Sequence, residues 1–323
     1  MEEAPPAGCP QGGPVSSPPM HTPPRLTAYL LLTASMTLVG SYVALSKPLV
    51  AVLPVFALAF LRFGIGAVAM APWTRRASGE APLTRSEHRW LFLMSFFGNF
   101  LFSVFMLSGI QRTTATAAGV ILATLPAVVA LLSRVFLREA LTRRTLFAIA
   151  LAVAGIVLLQ FAKGDGSTTT QQQLLGKLLM FGAVLCEASY VILGKRLAQT
   201  RTPLRVSALI NLWGLTLTAP LGLLQLIRAD LSPMTAGLWT LLLFYSLAAG
   251  LFSVWMWVSG LKHVPASQAG VFTVALPIAA TAVGVLLLGE RFTALHAAAL
   301  ALASTGVLLI ATSPRGARTA APT

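Results

Sequence analysis

The sequence predicts an all-α integral membrane protein of ten transmembrane helices, arranged as two inverted five-helix repeats. Three observations predict it. With 56% of its 323 residues apolar and 10% charged, the chain carries more apolar surface than a soluble core of that length can hide. Its apolar runs reach the ~20 residues a helix needs to cross ~30 Å of hydrocarbon. Finally, SYVALSKPL at 41–49 returns as SYVILGKRL at 189–197.

Residues 1–25 hold eight prolines with Gly and Ser. Such a stretch cannot bury enough apolar surface to offset the entropy of ordering, and it reads as a disordered cytoplasmic tail. No basic segment precedes a short apolar core near Met1, and the run that begins at Leu26 is too long for a secretory leader. It is expected to remain as the first span. Cys9 in the tail and Cys186 in an apolar run make no disulfide framework.

The ten spans are placed at 26–46, 50–72, 90–110, 114–137, 143–161, 174–198, 205–227, 237–260, 266–288 and 293–312. The first repeat is then 26–161, a linker covers 162–173, the second repeat is 174–312 and a cytoplasmic tail covers 313–323. Gly and Pro inside spans are tolerated where neighbouring helices satisfy the freed backbone.

A net charge of +14 raises the question of nucleic acid, and the distribution of the 23 Lys and Arg answers it. With the N-terminus inside, fifteen fall on the cytoplasmic side, beginning with Arg25, Arg75 and Arg76 and ending with Arg315 and Arg318. Six fall opposite: Lys47, Arg112, Lys163, Lys177, Arg228 and Arg291; Arg62 and Arg134 lie within spans. That asymmetry is the positive-inside bias. It makes the basic charge a matter of topology, puts both termini in the cytoplasm, and leaves a lipid bilayer and a small-molecule substrate as the partners.

The repeat extends well beyond the nonapeptides. Residues 109–160 align without a gap on 260–311, matching Gly119 to Gly270, Pro126 to Pro277, Glu139 to Glu290, Thr142 to Thr293 and Gly155 to Gly306. LFSVFM at 101–106 recurs as LFSVWM at 251–256. Five is odd, so the second copy must enter the membrane from the other side. Inverted repeats of this kind build secondary transporters, whose halves rock around a site near the bilayer midplane. No GxxxxGK[ST] loop occurs to cradle ATP phosphates, so a gradient or downhill flow is expected to drive transport.

At this level the chain resembles the EamA-type transporters of the drug/metabolite transporter superfamily. The resemblance covers about 26–312 and rests on LRF at 61–63, LCEASYVILGKRL at 185–197, ATAAGVILATLPAVVALLSRVFLREALT at 115–142 and ASQAGVFTVALPIAATAVGVLLLGERFTALH at 266–296. It implies a bacterial inner-membrane protein with a central cavity, commonly an exporter of amino acids or other small metabolites. Glu187 stands where the family often shows an aromatic residue.

Arg62 and Glu187 are the informative pair, because a lone charge near the centre of a span costs ~2.5–3.5 kcal/mol even on the lenient insertion scale. They are read either as an ion pair fastening span 2 to span 6, or as two charges lining a wet cavity. Their repeat partners, Asn211 and Val39, are uncharged. On the same stripe as Glu187 lie Met180, Ala183, Tyr190 and Gly194, and span 1 offers Ser35, Tyr42 and Ser46. Tyr42 and Tyr190 are equally candidates for ligand contact and for a bond to a nearby carbonyl. Asn99 shares a face with Ser103, and Gln268 lies one turn from Phe272; each is a substrate donor or an interhelical bond.

Pro126 and Pro277 remove a helix donor apiece and are read as gating bends. Glu139 and Glu290 precede Thr142 and Thr293, which look like N-caps, so a structural role is expected for both. Lys47 and Lys195 are expected to be anchors whose stems snorkel to the interface. Small residues in AIALAVAG at 148–155 and AAALALASTG at 297–306 allow close helix approach, within the monomer or at a homodimer seam. No metal site and no cofactor is expected.

The expected function is a secondary transporter exporting an amino acid or similar metabolite. A membrane enzyme is disfavoured by four scattered His and the lack of HExxH or GxSxG. A channel is disfavoured because no filter loop or charged ring is visible.

Overall fold

The structure is a computed structural model that describes residues 25–75, 82–137, 143–159, 170–197, 202–261 and 270–311. All regular structure among these residues is helical. Of the predicted tails and linker, residues 1–24, 162–169 and 313–323 lie outside the described residues, as do Gln268, Glu139 and Thr142, whereas Arg25 and linker residues 170–173 are helical.

In the first half, α1 runs Arg25–Val52, α2 Val55–Ala69, α3 Ala71–Thr74, α4 Arg85–Ser95, α5 Phe102–Ile110, α6 Ala115–Leu122, α7 Leu125–Leu137 and α8 Arg143–Leu159. In the second half, α9 runs Thr170–Leu197, α10 Pro203–Arg228, α11 Ala236–Leu247, α12 Ser253–Leu261, α13 Ala275–Leu286 and α14 Ala294–Ala311. Among the described residues, five stretches are long and apolar enough to cross a membrane: Leu26–Val52, Arg85–Ile110, Ala115–Phe136, Leu204–Arg228 and Ala236–Trp257. Val55–Ala69, Phe272–Leu286 and Ala294–Gly306 are shorter apolar helices. Large apolar side chains such as Val68, Ile227 and Leu286 point outward, as a lipid-facing surface requires.

Polar caps mark where helices begin. Thr84 and Glu87 form a reciprocal capping box at the start of α4, and the hydroxyls of Thr114 and Thr235 accept the Ala117 and Leu238 amides at the starts of α6 and α11. Thr293, the predicted cap, precedes α14 and accepts the His296 amide at 3.4 Å.

Four helices are interrupted, in matching places. Between α4 and α5 the chain widens into a π-helical turn, Phe96–Leu101, and between α11 and α12 into another, Ala248–Phe252. These turns occupy equivalent positions of the LFSV repeat, and such turns recur at functional sites. The other two breaks precede the prolines. A turn at Ala123 and Thr124 separates α6 from α7 just before Pro126. A 3-10 stretch, Gly270–Val274, leads into α13 just before Pro277. Each proline lacks a donor, so the helix is reset rather than continued.

The packing joins the halves rather than filling each half separately. α2 packs on α10, α8 on α14 and α6 on α13; α1 packs on α12 and α13, while α9 packs on α5 and α7. Exchanging first-half elements for their second-half equivalents maps this set onto itself, the signature of a pseudo-twofold. The α8 and α14 small-residue faces meet each other, with Gly155, Ala299 and Gly306 buried. Backbones approach closely elsewhere too. A Cβ on Gly40 of α1 would lie 2.9 Å from the Ala280 amide of α13, and one on Gly119 would lie 3.2 Å from the Pro277 carbonyl.

The main core cluster gathers Tyr42, Leu49, Phe63, Met106, Ile110, Ile121, Met180 and Tyr245 from both halves. At one end, Lys47, Ala115 and Glu290 converge and Gln111 donates to the Val50 carbonyl. The ends of α1 and α5, the start of α6 and the segment after α13 therefore lie together.

Candidate functional site

Arg62 sits in the middle of α2, where FGIGAVA and the preceding apolar residues supply no other charge. It is 6% exposed. One guanidinium nitrogen, Nη1, donates to the hydroxyl of fully buried Ser103 on α5 at 2.7 Å. The guanidinium carbon lies 4.6 Å from the Phe63 ring centroid and 5.5 Å from that of Tyr245 on α11. Tyr245 in turn meets Tyr42 of α1 edge to face, with centroids 5.7 Å apart. Aromatic faces stabilise a desolvated cation.

Glu187, near the middle of α9, is partly exposed. It lies within electrostatic reach of Arg62, Tyr42 and Tyr190. Among the described residues the only ion pair within 4 Å is Lys47 with Glu290, so the two mid-span charges share a neighbourhood without bonding. The fastening ion pair is not formed in this conformation. Arg62 Nε and the Tyr245 hydroxyl also have no hydrogen-bond partner of good geometry. Buried groups left in that state cost ~1–3 kcal/mol apiece.

Tyr190 packs on the π-helical turn, where a Cβ added to Gly98 would lie 2.6 Å from its Cγ. The absence of a side chain at Gly98 is thus what admits the ring. Asn99, on the same turn, donates from Nδ2 to the Ile210 carbonyl at 2.9 Å, and Ser95 donates to that carbonyl too, at 2.8 Å. Asn211 donates to the Ser207 carbonyl at 2.9 Å, and its side-chain oxygen faces Gly66 and Gly250. Each of these two amides spends a donor on backbone, tying helices or stiffening a turn. The structure thus brings together Arg62, Glu187, Tyr42 and Tyr190 and adds Ser103 and Tyr245. Tyr245 went unremarked in the sequence, although it is one of four Tyr and sits mid-span.

A groove of about 360 Å³ is lined by Pro54, Leu221, Leu224, Gln225, Arg228 and Ala229. None of the candidate site residues lines it. Among the described residues no group of His, Cys, Asp and Glu is placed to hold a metal ion.

Lys47 departs from the expected anchor. It donates to Oε1 of Glu290 at 2.6 Å, and Glu290 also accepts the Ala115 amide at 2.7 Å and the Thr116 amide and hydroxyl at 3.0 and 3.1 Å. The carboxylate therefore caps the start of α6, where the helix dipole favours an anion. Lys47 is held because α1 continues to Val52, beyond Pro48, instead of ending beside it. The structural role expected of Glu290 is the one observed.

An EamA-like transporter family model matches residues 26–161 and again 174–312. The chain belongs to the EamA-like transporter family, a class of multi-pass membrane transporters. It is 32% identical over 286 residues to the uncharacterized transporter YetK of Bacillus subtilis (strain 168), covering 88% of this chain and 87% of that one. It is 24% identical over 257 residues to the uncharacterized transporter YyaM of the same organism, covering 79% and 84%. A solved crystal structure shares the fold with a TM-score of 0.60 at 18% identity, over 88% of this chain and 96% of that one.

Proposed function

We propose that this protein is a secondary transporter that exports an amino acid or a similar small zwitterionic metabolite across the inner membrane by alternating access. Its ten spans form two inverted repeats, and both termini are cytoplasmic. The observation that carries the reading is the meeting of Arg62 and Glu187. They lie near the middles of their helices and within each other's field, yet share no bond. A cation and an anion kept apart at mid-membrane suit a solute that bears both charges, since each charge then finds an opposite partner when the site desolvates. Tyr42 and Tyr190 supply walls with polar tips. The exchange symmetry of the packing supports a cycle in which the halves swap conformations, opening the same site first to one side and then to the other. The pair also allows proton coupling, with Glu187 as the carrier.

The test is a set of three variants, Glu187→Gln, Arg62→Gln and the double substitution, assayed for melting temperature and for amino-acid flux in proteoliposomes. Stable single variants with lost flux, and no rescue in the double, are expected. Unstable singles with stability and flux both restored in the double would return Arg62 and Glu187 to the role of a structural pair. Loss of pH dependence confined to Glu187→Gln would identify that carboxylate as the proton site.

A further inference from the structure

Ser103 holds the Arg62 guanidinium by one nitrogen only. Nη1 is engaged at 2.7 Å, and Nε is buried without a hydrogen bond of good geometry. The edge opposite the Ser103 bond is therefore Nε–Nη2. That edge presents two parallel N–H donors with the spacing of the two oxygens of a carboxylate. The hydroxyl of Tyr245, a fully buried side chain whose ring lies beside the guanidinium, approaches Arg62 but makes no hydrogen bond of good geometry. A protein interior rarely keeps two such groups without a well-formed partner unless something else supplies one.

We infer that the Nε–Nη2 edge of Arg62 is the docking point for a carboxylate of the transported solute, and that Tyr245 is a specificity-determining residue beside it. This rests on the transporter reading above and goes further in naming the chemical group recognised and the atoms that recognise it. Ser103 is then a positioning residue: by occupying Nη1 it turns the opposite edge of the guanidinium toward the ligand. The pairing also explains why the cation sits against Phe63 and Tyr245 at 4.6 and 5.5 Å. Ring faces stabilise the charge while consuming none of its in-plane donors. Glu187 nearby disfavours a dianion, so a monocarboxylate, above all one carrying an ammonium group, fits best. Because Arg62 belongs to α2 and Tyr245 to α11, a bound carboxylate bridges the two halves.

The experiment uses the purified full chain and a panel of the standard amino acids, each paired with its carboxamide and its decarboxylated amine. Binding is read by thermal shift and transport by flux in proteoliposomes. An acid that binds should do so at least roughly tenfold more tightly than its own amide or amine, the discrimination expected when a charge-assisted bidentate contact is lost. Arg62→Lys keeps the charge but removes the planar edge, and should erase most of that preference. Tyr245→Phe should weaken acids by a few-fold, leave amines unchanged and leave the melting temperature equal or higher, since it removes a hydroxyl that makes no well-formed hydrogen bond. Ser103→Ala should blunt the preference without abolishing transport.

Equal binding of acid and amide overturns the assignment, as does an unaltered preference in Arg62→Lys. Should Arg62→Lys fail to fold, Tyr245→Phe decides: a fall in stability with unchanged acid preference would make the hydroxyl structural and sink the proposal. Transport of amines or neutral solutes independent of Arg62 would defeat the carboxylate edge and leave the transporter reading standing. A panel in which nothing binds or moves would defeat both.

Discussion

Glu290 holds four donors, and Lys47 holds one acceptor. The carboxylate of Glu290 takes the Lys47 ammonium, the Ala115 and Thr116 amides and the Thr116 hydroxyl, whereas among the described residues the ammonium donates to Glu290 alone, and the Lys47 side chain stays 31% exposed. The two residues are therefore unequal members of one ion pair. Replacing Glu290 by Ala orphans the start of α6 as well as the cation, and should cost about 2–4 kcal/mol. Replacing Lys47 by Met leaves the carboxylate on its helix terminus and should cost about 1–2 kcal/mol. Chemical or thermal unfolding of the two variants in detergent checks the ranking, and a larger loss in Lys47→Met would refute it.

The same group sets an acid limit. Burial alone would raise the Glu290 pKa, but the Lys47 hydrogen bond, the Ala115 and Thr116 amides and the Lys47 charge outweigh it and hold it below its ordinary value of 4.5. The unfolded chain then binds a proton at a higher pH than the folded chain does. The stabilisation is fully present above the unfolded pKa and is lost as pH falls through the folded one. Melting temperature measured from pH 7 downward should stay level to about pH 5 and then decline. In Glu290→Gln that decline should be shallower.

Two glycines should respond oppositely to alanine. At Gly40 an added methyl meets backbone of α13, including the Ala280 amide at 2.9 Å. Backbone cannot swing aside as a flexible side chain can, so Gly40→Ala should cost 3 kcal/mol or more, on the order of a severe overpacking. At Gly237 the nearest atom is the Thr235 hydroxyl at 3.8 Å. There the better helix propensity of Ala should be neutral or stabilise by up to about 1 kcal/mol. Expression level and melting temperature of the pair distinguish the cases.

Much of the fold was legible in the sequence because membrane crossing imposes length and apolarity, and both can be read residue by residue. The doubled nonapeptide and the paired prolines likewise announced the symmetry that the packing displays. The site was legible in part. Arg62 and Glu187 stood out because charge is rare in a span, and Thr293 because a cap has a fixed place. The π-helical turns left no trace in any periodicity. The donors of Asn99 and Ser95 go to a carbonyl more than a hundred residues away in the chain, a fact no local pattern encodes. The Lys47–Glu290 pair escapes any local pattern for the same reason, its members lying 243 positions apart.

Topology offers an independent check on the described loops. Exposed Asp230 follows α10, whose Gln225 side chain accepts the Phe56 and Ala57 amides at the start of α2. Exposed His88 lies near the start of α4. On the proposed crossing order a single cysteine at Asp230 should react with an impermeant maleimide in intact cells, and one at His88 only after permeabilisation. The opposite labelling would reverse the orientation, and labelling of both from outside would break the order itself.

The chief helix contacts all pair an element of the first half with one of the second, α2 with α10, α8 with α14, α1 with α13 and α5 with α9. A half synthesised alone would consequently have nowhere to place its apolar seams except against lipid or against another copy lying upside down. During biogenesis the earlier helices must wait in the bilayer, unassembled, until the later ones arrive. An ancestor with a single repeat would have faced the same requirement, and could have met it only as an antiparallel dimer. Gene fusion would then have fixed as covalent what had been an encounter, and freed each copy to diverge, as the charged Arg62 has from the amide of Asn211.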